Sequence, residues 1–287
     1  MQFIKDRSNY LFTSTKGLIL MAIAMIGIVT AIWGMLSGPM AELGVKDFVV
    51  KTLGMNLVER EREGRIIILY HAIAMAMIAI EVYMITGLIK MKENQKTMIN
   101  ATVTVGYILT MFFGLGFSYF GHNWAFHGVF LVGLSLMFYA GCALAVALWP
   151  WNKETYITDP KSEYARTKTG IDLERGAFFM LAMTTLSSSL FGAVPGSYFA
   201  SGFKIFLAEN TIREPHKTIL DLSVIGHLHI MLALIAVAVT LIIGRWLDFK
   251  GILHKIAMPL MISGSFILSL GTWLVVPFEL YAHIIIY

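Results

Sequence analysis

The sequence predicts an all-α polytopic membrane protein: one integral domain over residues 1–287, folded as a bundle of about seven transmembrane helices with the N-terminus inside and the C-terminus outside. Two observations carry this. Hydrophobic residues make up 57% of the chain and charged residues 14%, with a mean hydropathy of +0.72, which is more apolar than a soluble domain tolerates. The apolar residues are also gathered into runs of about 20, the length that crosses a bilayer as a helix.

The spans fall near 17–36, 66–89, 99–120, 125–149, 176–194, 222–244 and 257–285. The first follows Lys5, Arg7 and Lys16 in the manner of a signal peptide, but its apolar run is too long and no small-x-small cleavage site follows, so it reads as a retained span. Asp221 is placed to cap the sixth helix, and Asp172 or Glu174 the fifth. The run Ser187-Ser188-Ser189 in the fifth bonds back to its own helix or to a neighbour and suggests no chemistry. Orientation follows from the basic residues. With the N-terminus inside, 14 of the 22 Lys and Arg face the cytoplasm, and the remaining eight lie in two long outer loops. The expected location is a cell membrane, the inner membrane of a prokaryote.

Composition excludes several functions. The single cysteine, Cys142, rules out an internal disulfide, a thiolate-held iron–sulfur cluster and a Cys-x-x-Cys-His haem attachment within the chain. The formal charge of +4 is spread over several loops and forms no basic face with interleaved aromatics, so no nucleic-acid partner is expected.

The polar residues inside the spans are the informative ones. Imidazole in hydrocarbon is costly unless it is ligated or hydrogen-bonded, so intramembrane histidines mark candidate sites. His71 lies about five residues into the second span; His122 and His127 flank the turn between the third and fourth; His227 and His229 lie just inside the sixth; His283 is near the end of the seventh. All six fall in one layer on the outer side, whereas His216 lies in a loop and His254 on the opposite face. His227 and His229 are two residues apart, so on a helix they point about 200° from each other. Ligation competes here with a metal-free polar network. Zinc or copper asks for three or four close ligands, whereas a haem b asks only for one imidazole from each of two helices and small residues around the macrocycle. Ala72, Ala74, Ala76, Gly226, Ala233, Gly114, Gly116, Gly121 and Gly128 provide such residues, although these also serve helix packing. Among carboxylates, Glu81 lies ten residues inward of His71 and Glu279 one turn from His283; both are candidate proton-transfer groups or plain interhelical hydrogen-bonders.

A His-x-His near the outer end of one helix, with a single outer-side His in a much earlier helix, resembles the haem-holding part of the haem–copper oxidase and nitric oxide reductase catalytic subunits. The stretch Arg65-Ile-Ile-Ile-Leu-Tyr-His-Ala is similar to the early helix of the reductase branch. The resemblance covers two helices. It implies that His71 and His229 hold a low-spin haem and that His227 faces a second centre. No His-His pair or further helix supplies the family's non-haem metal ligands in the usual order, which leaves His122 and His127 as candidates for a second haem's other ligand or for a partial replacement of those ligands.

Together these features predict a haem b protein, with one or two haems, that exchanges electrons between a quinol or quinone pool and a redox partner on the outer, periplasmic side. That partner is expected to be a subunit such as a multihaem c-type cytochrome or a molybdenum-type enzyme within a larger respiratory complex. The segment 195–220, with its aromatics and Lys204, is the expected cover of a quinol slot or a docking surface. The contrasting expectation is a transition-metal or proton transporter built on the same histidines. That alternative predicts broken helices at mid-membrane.

Overall fold

The computed structural model describes residues 9–37, 47–48, 51–52, 59–120, 123–151, 166–167, 169–193 and 219–286. Among them, seven long helices follow in chain order: α1 Thr15–Ser37, α2 Glu59–Leu88, α3 Glu93–Phe120, α4 Trp124–Ala147, α5 Leu173–Ala193, α6 Ile219–Trp246 and α7 Ile252–Ile286. No strand occurs among the described residues beyond the isolated bridge between Arg166 and Asp172.

Six stretches are long and apolar enough to cross a membrane: Thr15–Met35, Tyr70–Leu88, Glu93–Gly116, Trp124–Ala147, Gly226–Trp246 and Ile252–Leu274. Helix α5 forms where the sequence predicts a span but is not among the six. Its first turn carries Glu174 and Arg175, and Thr184, Thr185 and Ser187–Ser189 dilute its apolar run. Large apolar side chains point outward along the bundle, among them Ile28, Phe112, Val146 and Leu232. This is the surface of an integral membrane protein in contact with lipid.

The helices pack in a closed circuit: α2 on α3, α3 on α4, α4 on α5, α5 on α6, and α6 back on α2. Helix α1 lies against α2, and α7 against α5 and α6. Lipid tails are as apolar as leucine, so close backbone approach and hydrogen bonds must drive this packing rather than the hydrophobic effect. Between α3 and α4, a Cβ on Gly106 would lie 2.8 Å from Met137 N and 2.9 Å from Gly133 O, so the two backbones touch there. Between α2 and α3, Tyr83 Oη shares a hydrogen bond with Thr104 Oγ1 at 2.8 Å, and Thr86 Oγ1 donates to Asn100 Oδ1 at 2.9 Å. Helix α1 is tied in by Tyr107 Oη, which donates to Ile23 O at 3.3 Å.

One end of the bundle is closed by buried charges. Arg245 Nη1 of α6 donates to Glu174 Oε2 of α5 at 2.6 Å, with the two side chains 3% and 4% exposed. Arg175 donates to Lys90 O at the end of α2 and to Ala147 O at the end of α4. Lys90 follows α2 by two residues and Ala147 is the last residue of α4, so one guanidinium satisfies carbonyl acceptors at the ends of two helices. Asp172 Oδ1 accepts from Arg175 N at 3.0 Å, the predicted cap of α5. His254 is buried within reach of Asp172 and Arg245. The ends of α2 and α4 and the starts of α5 and α7 therefore meet at one face, as alternating up-and-down helices require. At the other end Asn123 caps α4 by accepting from Ala125 N at 2.7 Å. Helix α7 contains Pro259 and Pro277 and leaves helical geometry at Phe278 (φ −139°, ψ 55°), where proline has removed a helical hydrogen bond.

Candidate functional site: a histidine pair between α2 and α6

The closed circuit places α2 beside α6, and with them His71 beside His227. Each lies near the end of its apolar stretch, Tyr70–Leu88 and Gly226–Trp246 respectively. On α6, His227 and Arg245 are 18 residues apart, or about 27 Å at 1.5 Å per residue, so the pair and the buried ion cluster occupy opposite ends of the bundle. The ring centres are 6.4 Å apart and the planes are inclined by 24°.

That spacing has a chemical meaning. Two metal–imidazole bonds of about 2 Å each, plus two ring radii of roughly 1 Å, place the centres of two imidazoles on one metal ion about 6 Å apart. The observed 6.4 Å is close to that distance. It also lies within the broad range of direct aromatic contact, about 4.5–7 Å, and the nearly parallel rings form a stacked pair.

His227 is also held from α5. Nδ1 of His227 lies 3.0 Å from the carbonyl oxygen of Ser188 on α5. A carbonyl only accepts, so Nδ1 carries the proton, and in the neutral ring the lone pair is on Nε2. Metal-ligating histidines characteristically donate their other ring N–H to a carbonyl or carboxylate, which fixes tautomer and ring orientation. The ring also lies against Gly192, one helical turn beyond Ser188, where any Cβ would overlap it. Ser188 and Gly192 share one face of α5 and form a cradle, with the carbonyl holding the ring's edge and the missing side chain making its seat. The site thus draws on three helices.

The other predicted residues distribute differently. His229 is exposed, on the side of α6 turned away from His227, as their two-residue separation requires. His127 is 5% exposed near the start of α4, with its ring 5.7 Å from that of Trp124 and nearly parallel to it at 16°. The described His, Cys, Asp and Glu side chains form no group of three or more able to hold a metal ion, so the six-histidine layer does not converge on one polydentate site among the described residues. His122 and the segment 195–218 lie outside the described residues, as do the side chains of Arg65, Glu279 and His283. His254 sits in the ion cluster at the opposite end, as its sequence position predicts.

Sequence reasoning missed Ser188 and Gly192. The serine hydroxyls on either side behave as expected: Ser187 Oγ donates to Thr184 O and Ser189 Oγ to Thr185 O within α5. What matters at Ser188 is its backbone carbonyl, to which residue type gives no clue. Comparisons with known proteins add no assignment: no family model, no curated protein and no solved structure matches the chain.

Proposed function

We propose that this chain is a membrane haem b protein that passes electrons between a quinol or quinone pool and a redox partner beyond the face nearest the histidine pair. The observation that carries the proposal is the His71–His227 geometry, with ring centres 6.4 Å apart and the His227 Nδ1 proton given to Ser188 O. Two imidazoles suffice for a b-type haem and fall short of the three or four ligands that zinc or copper sites use. In this reading His71 and His227 would hold the haem, in place of the His71 and His229 that the oxidase-family resemblance implies. The haem would supply one-electron chemistry. The chain supplies two ligands from adjacent helices and a fixed tautomer at His227.

All seven helices cross the bilayer in this proposal, with the N-terminus inside, which puts the pair near the outer face. A site close to one face can exchange electrons with an outer-side subunit but does not carry them across the membrane. That favours a membrane anchor for a periplasmic redox partner. The test is a pyridine haemochrome assay and reduced-minus-oxidised spectroscopy on purified, detergent-solubilised protein, followed by addition of a short-chain quinol. We expect one b-type haem per chain at this site, reduced by the quinol. Intact protein that binds no haem on reconstitution would overturn the proposal.

A further inference from the structure

Within the apolar part of α2, one carboxyl group stands apart. Glu81 is buried at 9% exposure in the Tyr70–Leu88 stretch, ten residues along α2 from His71, or about 15 Å deeper in the bundle. Its Oε1 is sealed from the surface and has no hydrogen-bond partner among the described residues, and no ion pair involving Glu81 occurs among them.

The other described charged side chains of the seven helices lie near helix ends. Lys16 is at the start of α1, Glu93 and Lys96 at the start of α3, Glu174 and Arg175 at the start of α5, Arg245 at the end of α6 and Lys255 at the start of α7. Those groups reach water or a polar partner. An ionised carboxylate at the position of Glu81 would have neither. A buried polar atom left without a partner calls for a specific explanation, such as a proton-exchange role or a water molecule.

We infer that Glu81 is a proton-exchanging carboxylic acid whose protonation follows the charge on the site held by His71 and His227. When that site gives one electron to its outer-side acceptor, it gains one unit of positive charge inside a low-dielectric bundle. Loss of the Glu81 proton to the aqueous phase removes one unit. When a quinol returns the electron, the carboxyl regains a proton, so the net charge of the buried region stays constant through the cycle. The inference rests on the proposed haem reading.

The test is redox-induced infrared difference spectroscopy on the haem-loaded, full-length protein, in H2O and D2O. We expect a carboxylic-acid C=O band that shifts in D2O, shifts again in wild-type protein carrying 13C-carboxyl glutamate, and disappears in Glu81→Gln while haem content is unchanged. The glutamate label keeps the test valid if the variant fails to fold. No label-sensitive band in haem-loaded wild-type protein, or a band that persists in Glu81→Gln, overturns the inference and leaves the haem reading standing. Absence of haem from the wild type removes both.

Discussion

Adding a single methyl group at Gly192 is the sharpest perturbation of the histidine pair that leaves both imidazoles in the chain. In Gly192→Ala the added Cβ would overlap the His227 ring at its Cγ, Cδ2 and Nδ1 atoms. Either the ring swings away from α5 or α5 and α6 separate; both movements break the Nδ1–Ser188 O bond and change the spacing from His71. Overpacking of this kind costs about 1–3 kcal/mol, and a neutral hydrogen bond contributes about 0.5–1.5 kcal/mol. If a total of about 2–4 kcal/mol falls on the ligated state, haem affinity drops roughly 30- to 700-fold. The assay is haem titration of apoprotein followed by Soret absorbance, with Gly244→Ala on α6 as the control, since nothing lies within 4 Å of a Cβ there. Gly244→Ala should bind haem normally. Wild-type affinity and an unchanged spectrum in Gly192→Ala would refute the cradle formed by α5.

Three further predictions concern the frame around the site. Glu174→Ala removes the buried carboxylate that Arg245 meets at 2.6 Å and should lower stability by about 3–5 kcal/mol, read as a lower thermal midpoint in detergent with the haem spectrum of the surviving fold retained. Gly133→Val drives side-chain atoms into Thr110 and the α3 backbone and should destabilise by about 1–3 kcal/mol or more, measured the same way. Tyr83→Phe removes the hydroxyl that meets both Thr104 Oγ1 and Asn100 O across α2 and α3 and should cost about 0.6 kcal/mol for each bond, near the average for such bonds in membrane bundles. Protein as stable as wild type after Glu174→Ala would show that the buried ion pair does not hold α5 to α6.

How far the molecule can be read from its sequence depends on which physical signal each feature carries. Long apolar runs identify helices directly, so all seven helices lie where hydropathy puts them. Helix α5 is not among the six stretches long and apolar enough to cross a membrane, because hydroxyls and two charges interrupt its run. Depth is also legible: His71 and His227 stand out as imidazoles in apolar surroundings, and His254 separates to the opposite end. Pairing is not legible, because it depends on which helices are neighbours. The contact of α2 with α6 closes a circuit between residues more than 150 positions apart. The buried charge cluster is visible in the sequence only in pieces, with Asp172 and Glu174 as caps and Arg175 and Arg245 as topology markers. Ser188 shows the limit most clearly, since its contribution is a backbone carbonyl that any residue could offer.

The measurement that bears most directly on the central claim is haem stoichiometry in His71→Ala, His227→Ala and His229→Ala, purified in parallel with wild type and judged intact by size exclusion and circular dichroism. Ligation by the pair seen between α2 and α6 predicts that the first two variants lose the haem and the third keeps it. Retention of full haem by His227→Ala, with loss in His229→Ala, would contradict it and restore the pairing that the oxidase-family resemblance implies.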